Sequence, residues 1–291
     1  MPTKELNREA WLALHGKSEV VTASQLSSVL GINPYKSPFA LYQEKVGAIE
    51  PDPENTAMRI GKALEPLVAQ MYTEETGRNV VDLGEYTIHH REDFPLLVAT
   101  LDRWDTDEQC PVEMKTSMNP SAQALDEWEA GGPFAYQVQV QAQLFLTETE
   151  VAYLAGLLGR QFRVVEIHRN EKFINWMKVE VQKFVDCVLT KTPPAMDASE
   201  STVAAVKRLY PKDDGTVALR PDLAQTVSEY LAAKDSMSAA EARVKELQGR
   251  LITEIGPHSS MSCDGYTVTY KHQKRKGYFM PDAEFRVLKV K

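Results

Sequence analysis

The spacing of apolar residues predicts helices first, then strands, then a mixture of both. Apolar positions recur every three or four residues in four early segments, which predicts helices over 5–14, 23–30, 38–47 and 56–76. Thr22 and Ser37 precede two of these segments and are predicted N-caps. Later runs predict strands over 79–89, 96–103 and 111–117, and a hairpin of 151–158 with 162–168. Two further helical patterns cover 121–130 and 171–190. This order predicts a mixed α and β fold.

The pattern changes after Pro194, which predicts a first domain over 1–194 and a C-terminal extension over 195–291. Large apolar residues fill one heptad position across 221–255, and the position three residues later holds Ala233, Ala240 and Leu247. We therefore expect a long amphipathic helix that forms half of a helical hairpin or a coiled-coil seam.

The last segment of the extension, 271–291, is rich in basic residues. It carries seven lysines and arginines against two acidic residues, with aromatic residues between them. Such a tail is typical either of a DNA-binding β segment or of a solvated strand edge.

Composition narrows the class of protein without naming a function. Hydrophobic residues make up 43% of the chain and charged residues 25%, as in an ordinary globular protein with a buried core. Three scattered cysteines argue against a disulfide framework and against a zinc site. The first residues lack the apolar core of a signal peptide, so a cytoplasmic location is expected. With a formal net charge of −8, any contacts with DNA must be local, or metal ions must supply positive charge where acidic residues cluster.

The segment 96–117 holds the candidate chemistry. If its two predicted strands pair with the register centred between residues 107 and 108, Asp102 lies opposite Glu113 and Thr100 opposite Lys115. Two carboxylates and an ammonium then share one face, with cross-strand Cβ atoms about 5 Å apart. Neighbouring carboxylates repel each other unless a cation joins them, and Mg²⁺ prefers such oxygen ligands. The alternative is that these are the solvated charges of an exposed strand.

Two other segments hold candidate polar residues. Glu65 falls in the apolar stripe of the helix over 56–76, where a carboxylate is costly unless it is paired or bound to metal. Four glutamines, including Gln139, alternate with apolar residues over 135–145. This period of two, taken alone, favours a half-buried strand.

Taken together, these motifs resemble the YqaJ-type and lambda-type phage exonucleases, a branch of the PD-(D/E)xK nuclease superfamily. The matching pieces are VTASQLSSVLGINPYKSPFALYQEKVG at 21–47, GKALEP at 61–66, Asp102…Glu113-x-Lys115, and YQVQVQAQLF at 136–145. The likeness spans roughly residues 10–190. It implies a restriction-endonuclease-like core, in which helices flank a central mixed sheet.

The resemblance also implies an activity and a set of site residues. It implies Mg²⁺-dependent digestion of one strand of linear duplex DNA from the 5′ end, to leave a 3′ single-stranded overhang, with Mn²⁺ as a substitute ion. Its implied metal ligands are Asp102, Glu113, the carbonyl of Met114 and Glu65, and Lys115 is the implied catalytic lysine. Ser24 falls on a serine near the terminal phosphate. Gln139 falls on the glutamine of a short helix beside the site, so the resemblance predicts a helix over 135–146.

The chain departs from the family pattern at two positions. Lys17 stands where the family has a phosphate-binding arginine, and lysine offers a point charge rather than a bidentate fork. Thr100 replaces a serine two residues before the metal aspartate and keeps the hydroxyl. The partners implied by the resemblance are DNA ends, further copies of the chain in a ring such as a trimer, and a single-strand annealing protein.

Two other functions remain open from the sequence. One is a sequence-specific or structure-specific endonuclease of the same superfamily, and the other is a non-catalytic DNA-binding scaffold. The intact Asp102, Glu113 and Lys115 set disfavours the scaffold. A Cas4-like nuclease would need a cysteine cluster that the chain lacks.

Overall fold

The structure is a computed structural model that describes residues 3–272 and residue 274. The chain divides into two compact units, one up to Leu209 and the other from Tyr210. The helix that follows the predicted boundary at residue 194 belongs to the first unit, where its Thr202 hydroxyl donates a hydrogen bond to Ser37 Oγ at 2.8 Å. No helix among the described residues is both long and apolar enough to cross a membrane.

The helices of the first unit begin where capping residues stand. Side chains of Asn7, Ser37, Asn55, Ser121 and Asn170 accept backbone N–H groups at five helix starts. Thr22 precedes a 3₁₀ turn over Ala23–Gln25, so the helix predicted over 23–30 is shorter than expected. The helices described in this unit are α1 Arg8–His15, α2 Leu26–Val29, α3 Pro38–Lys45, α4 Thr56–Thr76, α5 Ala122–Glu129, α6 Phe134–Thr147, α7 Glu171–Thr190 and α8 Glu200–Leu209.

The strands of this unit form two sheets. The first has the order β1-β4-β5-β2, and the second has the order β3-β6-β7-β8-β9. In the second sheet β7 and β8 run parallel and the other neighbours run antiparallel, as a central mixed sheet requires. The strands are β1 Thr3–Glu5, β2 Val21–Thr22, β3 Val80–Val81, β4 Thr87–His90, β5 Leu97–Ala99, β6 Arg103–Asp105, β7 Cys110–Ser117, β8 Val151–Leu158 and β9 Gln161–His168.

Two predicted strands are each divided between the two sheets. The prediction of one strand over 96–103 was wrong, because β5 pairs in the first sheet and β6 pairs in the second. The run over 79–89 divides in the same way into β3 and β4. Apolar alternation shows which residues are buried but not in which sheet they lie. Because both sheets bury apolar side chains, periodicity could not reveal where the chain changes sheet.

The second sheet lies between α4 and α6. On one face, Val68 and Tyr72 of α4 pack against Val112 and Met114 of β7. On the other face, Val140 and Leu144 of α6 pack against alternate residues of β8. The helix α6 also contributes Val138, Ala142 and Phe145 to a separate core with α7 and β5. Because α6 is apolar on several sides, its sequence lacks a single polar face and shows alternation instead.

The second unit contains a long helix and a hairpin. The helix α9 covers Ala224–Ile255 after a 3₁₀ turn over Pro221–Leu223, as the heptad pattern predicts. The strands β10 Ser260–Cys263 and β11 Tyr266–Thr269 pair antiparallel. Of the predicted basic tail at 271–291, all but residues 271, 272 and 274 lies outside the described residues.

A substitution at Gly156 of β8 tests how closely the second sheet packs against α5. A Cβ atom at Gly156 would lie 2.7 Å from both Cζ2 and Cζ3 of Trp128, inside van der Waals contact. We expect Gly156→Ala to lower the free energy of unfolding by about 1–3 kcal/mol, because the buried indole cannot move freely. Urea unfolding measures the change. Gly249→Ala is the control and should not lower stability, because no described residue lies within 4 Å of its Cβ position in α9. An alanine at 156 that left stability unchanged would contradict the packing.

Candidate active site

Asp102 lies where the chain passes from the first sheet to the second. It follows β5 and immediately precedes β6. The predicted register is confirmed for β6 and β7 alone, where Arg103 pairs with Val112 and Asp105 pairs with Cys110. One step further along, the backbone N–H of Met114 donates to Asp102 Oδ2 at 2.7 Å. The crossing therefore fixes the Asp102 carboxylate against the edge of β7.

Glu113 is a buried carboxylate held by three side chains. Only 1% of its surface is exposed, on the face of β7 that α6 covers. Gln139 Nε2 donates to its Oε1 at 2.7 Å, and Gln143 Nε2 donates to its Oε2. Lys115, two residues along the same strand, forms an ion pair with it. A buried carboxylate needs such donors, because burial removes the water that would solvate its charge.

The charges of the site influence one another strongly. Burial, and then repulsion from Glu113, raises the pKa of Asp102 to about 8, while the nearby Lys115 acts in the opposite direction. Burial also opposes the charge on Lys115, but the carboxylates of Glu113 and Asp102 outweigh it and raise the pKa of the ammonium. The two carboxyl groups thus share a single cation, and a second cation between them would favour the ionised form of Asp102.

Glu65 approaches from the other side of the sheet. It lies on α4 and forms an ion pair with Arg103, whose cross-strand partner Val112 packs on the α4 face. Glu65 is near enough to contribute to the raised pKa of Asp102. A carboxylate in an apolar stripe was expected to be paired or bound to metal, and in this structure Glu65 is paired with Arg103.

Lys115 and Gln139 open onto a cleft of about 910 Å³. Ser24 lines the same cleft from the 3₁₀ turn before α2, and its hydroxyl shares a 2.9 Å hydrogen bond with Thr22. Tyr136 lies beside Lys115, with its ring centroid 5.3 Å from Nζ. The cleft therefore joins a cation, a hydroxyl and an aromatic face next to the buried carboxylates.

Two predicted site residues lie elsewhere. Thr100 is not opposite Lys115, because the chain leaves the first sheet at this point, and its Oγ1 accepts a hydrogen bond from Trp11 Nε1 at 3.2 Å. Lys17 lines a separate pocket of about 560 Å³ with residues of α1, β4 and β5. Lys17 and Ser24 therefore line two different pockets.

Sequence reasoning missed Gln143 and Arg103. Gln143 lies one helical turn after Gln139, so both reach the same carboxylate once the segment is a helix. The alternation of glutamines hid this relation, because it gave no reason to prefer one glutamine over another. Arg103 directly follows Asp102 and points toward α4, where it contacts Glu65.

The donor groups present fit a divalent cation in part. Among the described residues, no group of three or more His, Cys, Asp and Glu side chains is arranged to hold a metal ion. The pair Asp102 and Glu113 nevertheless fits one, since a bound cation would relieve the burial and mutual repulsion that raise the pKa of Asp102. The N–H and C=O of one strand residue point to the same side, so the carbonyl of Met114 faces the Asp102 side as well. Buried Gln143 Oε1 has no hydrogen-bond partner among the residues described and leaves one more acceptor beside Glu113.

Comparison with known proteins places this site in a family. A model of the YqaJ-like viral recombinase domain matches residues 10–150. The uncharacterized protein YqaJ of Bacillus subtilis is 30% identical over 259 residues, which cover 86% of this chain and 79% of that protein.

Solved structures share the fold of the first unit. The alkaline exonuclease LHK-Exo of Laribacter hongkongensis is 23% identical, with a TM-score of 0.50, over 63% of this chain and 94% of that chain. The same enzyme in complex with dAMP gives a TM-score of 0.51 at the same identity and coverage. The restriction-endonuclease-like fold predicted from the motifs is confirmed by this likeness. With the relative from Bacillus subtilis matched over most of its length, the chain belongs to the YqaJ-like viral recombinase family.

Proposed function

We propose that this protein is a divalent-metal-dependent exonuclease that degrades one strand of linear duplex DNA, in the 5′ to 3′ direction, and leaves a 3′ overhang. The observation that carries the proposal is the grouping of Asp102 and Glu113 around the segment of β7 that ends at Lys115, which lines the cleft. The fold shared with an alkaline exonuclease supports it.

Mg²⁺, or Mn²⁺ in its place, would be held by the carboxylates of Asp102 and Glu113 and by the carbonyl of Met114. The chemistry that such an ion supplies is polarisation of a phosphate oxygen and activation of water. Glu65 would join this set only by exchanging Arg103 for the ion, since the two are paired in this structure.

The protein's own groups orient the scissile phosphate. The Lys115 ammonium lies at the cleft wall and donates hydrogen bonds to phosphate oxygens as negative charge builds on them. Gln139 and Gln143 fix Glu113 by binding one oxygen each, so the carboxylate keeps a single orientation. Exposed aromatic rings at the cleft, Tyr35 and Phe134, offer surfaces on which unpaired bases stack.

Replacing Lys115 tests whether the cleft performs this chemistry. We expect Lys115→Ala to slow Mg²⁺-dependent digestion of linear duplex DNA by a factor of about 10²–10⁴, because the charge that stabilises the phosphate is lost. Gel assays on linear and closed circular plasmid measure the rate, and circular dichroism checks folding. The control is Lys172→Ala, an exposed lysine of α7.

The same assay separates the competing functions. Linear DNA should be degraded and closed circular DNA spared. Cleavage of the circle would indicate an endonuclease. An inactive wild-type protein that still binds DNA would indicate a scaffold.

Gln143 should act through Glu113 rather than on the substrate. We expect Gln143→Ala to raise the Mg²⁺ concentration needed for half-maximal cleavage by about 10–100-fold, as loss of a group that orients a metal ligand does. Titration of cleavage rate with Mg²⁺ measures this shift. Gln141→Ala is the matched control on the same helix, because Gln141 instead donates to the carbonyl of His168. An unchanged Mg²⁺ requirement in Gln143→Ala, with the fold intact, would contradict the orienting role.

Ser24 and Lys17 are the two candidate ligands of a 5′-phosphate, and replacing each should affect the choice of DNA end differently. Ser24 lines the cleft with Lys115, whereas Lys17 lines the other pocket. We expect Ser24→Ala to reduce the preference for a 5′-phosphate over a 5′-hydroxyl end, and Lys17→Ala to leave this preference unchanged. Digestion rates on duplexes with either end measure the ratio. A loss of the preference in Lys17→Ala alone would assign the phosphate to the other pocket.

A further inference from the structure

The helix α9 carries an apolar stripe that no other described element of its unit covers. Its 32 residues span about 48 Å at 1.5 Å per residue. Large side chains repeat every seventh residue from Leu223 to Leu251, and each is between 38% and 63% exposed: Leu223, Tyr230, Met237, Val244 and Leu251. Three residues after these, the stripe holds the smaller Thr226, Ala233 and Ala240, and then Leu247. In heptad terms the large residues occupy position a and the others position d.

We propose that this stripe binds the same stripe of a second copy of the chain, in the antiparallel direction. In an antiparallel pair, position a of one helix packs against position d of the other. If Met237 is placed against Ala240 of the second copy, every other layer follows from the heptad repeat. Four layers then each combine a residue of position a with one of position d: Tyr230 with Leu247, Met237 with Ala240, Val244 with Ala233, and Leu251 with Thr226. Leu223, in the 3₁₀ turn before α9, faces Glu254 at the end of the seam. Three of these layers set a large side chain against a small one, which lets the two helices approach closely.

The charges beside the stripe complement each other in this same register. Lys234 and Glu241 occupy position e, and the antiparallel register brings each against the other on the second copy. Glu229 and Arg250 occupy position g and are brought together in the same way. None of these four side chains makes an ion pair in the part of the chain that the structure describes. Because the pair is two-fold symmetric, each attraction occurs twice, so four complementary charge pairs flank the stripe.

A parallel pair satisfies these positions less well. It would set Tyr230 against Tyr230 and Ala233 against Ala233, so that bulky and small layers alternate along the seam. Of the flanking charges, only Glu229 and Lys234 would meet. Size and charge therefore favour the antiparallel arrangement, and Gly249, which weakens a helix interior, falls outside the seam at position f.

Charge reversal in the full-length protein tests the proposal. We expect Lys234→Glu, or Glu241→Lys, to halve the mass of the particle measured by light scattering after size exclusion, because like charges then face each other twice. The double variant Lys234→Glu/Glu241→Lys should restore the wild-type mass. Asp235→Lys and Lys245→Glu are matched controls on α9 outside positions a, d, e and g, and they should leave the mass unchanged. Circular dichroism verifies that helix content is retained in every variant.

Three results of these mass measurements would overturn the proposal. A monomeric wild-type protein would mean that another part of the same chain covers the stripe. A single reversal that leaves the mass unchanged would show that the stripe is not the interface. A double variant that fails to regain the wild-type mass would exclude the antiparallel register.

Disulfide formation gives an independent test of direction. With the exposed Cys263 replaced by serine, the variant Ala233→Cys/Val244→Cys should form a dimer on mild oxidation. The two positions are about 16 Å apart within one helix, too far for a bond inside one chain. Ala233→Cys alone should not link in the antiparallel pair. A dimer from that single variant would show parallel helices and overturn the proposal.

Discussion

The burial of the Glu113 carboxylate is the constraint on which the first unit depends. A carboxylate with 1% of its surface exposed is stable only if donors replace its water shell. Its donors come from two elements, Lys115 from the same strand and two glutamines from α6. This requirement fixes how α6 is placed across the sheet, because a helix that turned by one residue would remove both glutamines from Glu113. Burial of Val140 and Leu144 supports the same orientation by packing.

The second carboxylate of the site, that of Asp102, lies where the chain passes from the first sheet to the second. A strand that continued from β5 into β6 within one sheet would pair Asp102 in a ladder on both sides. Because the chain changes sheets here, Asp102 instead accepts the N–H of Met114 with its side chain. The cost of holding two carboxylates together appears as the pKa of Asp102, which burial and repulsion raise to about 8. Sites that store such electrostatic cost are commonly functional, since a bound cation relieves it.

Much of this arrangement could be predicted from the sequence, and the failures have physical causes. The register of β6 with β7 followed from a turn centred between residues 107 and 108, and the bounds of α4 and α7 followed from periodicity and from the glycine and prolines that end them. The alternation over 135–145 favoured a strand, but the segment is the helix α6. Nearly all sides of this helix are buried, so the polar face that usually marks a helix in a sequence is missing. The division of 96–103 between sheets, and with it the place of Thr100, depends on pairing between distant strands. No local pattern carries that information.

The charges around the cleft connect the two proposals. Lys115 and Glu127 are the charged residues that line it, and Lys115 is already paired with Glu113, so the cleft itself offers little net positive charge. Phosphate contacts by lysine and arginine normally supply most of the affinity for DNA. A net charge of −8 gives the chain no broad positive field to add to this affinity. Joining two copies through α9 would place two clefts in one particle, and the second contact with DNA then becomes intramolecular. The effective concentration of that second contact raises the overall affinity without any new basic residue at either cleft.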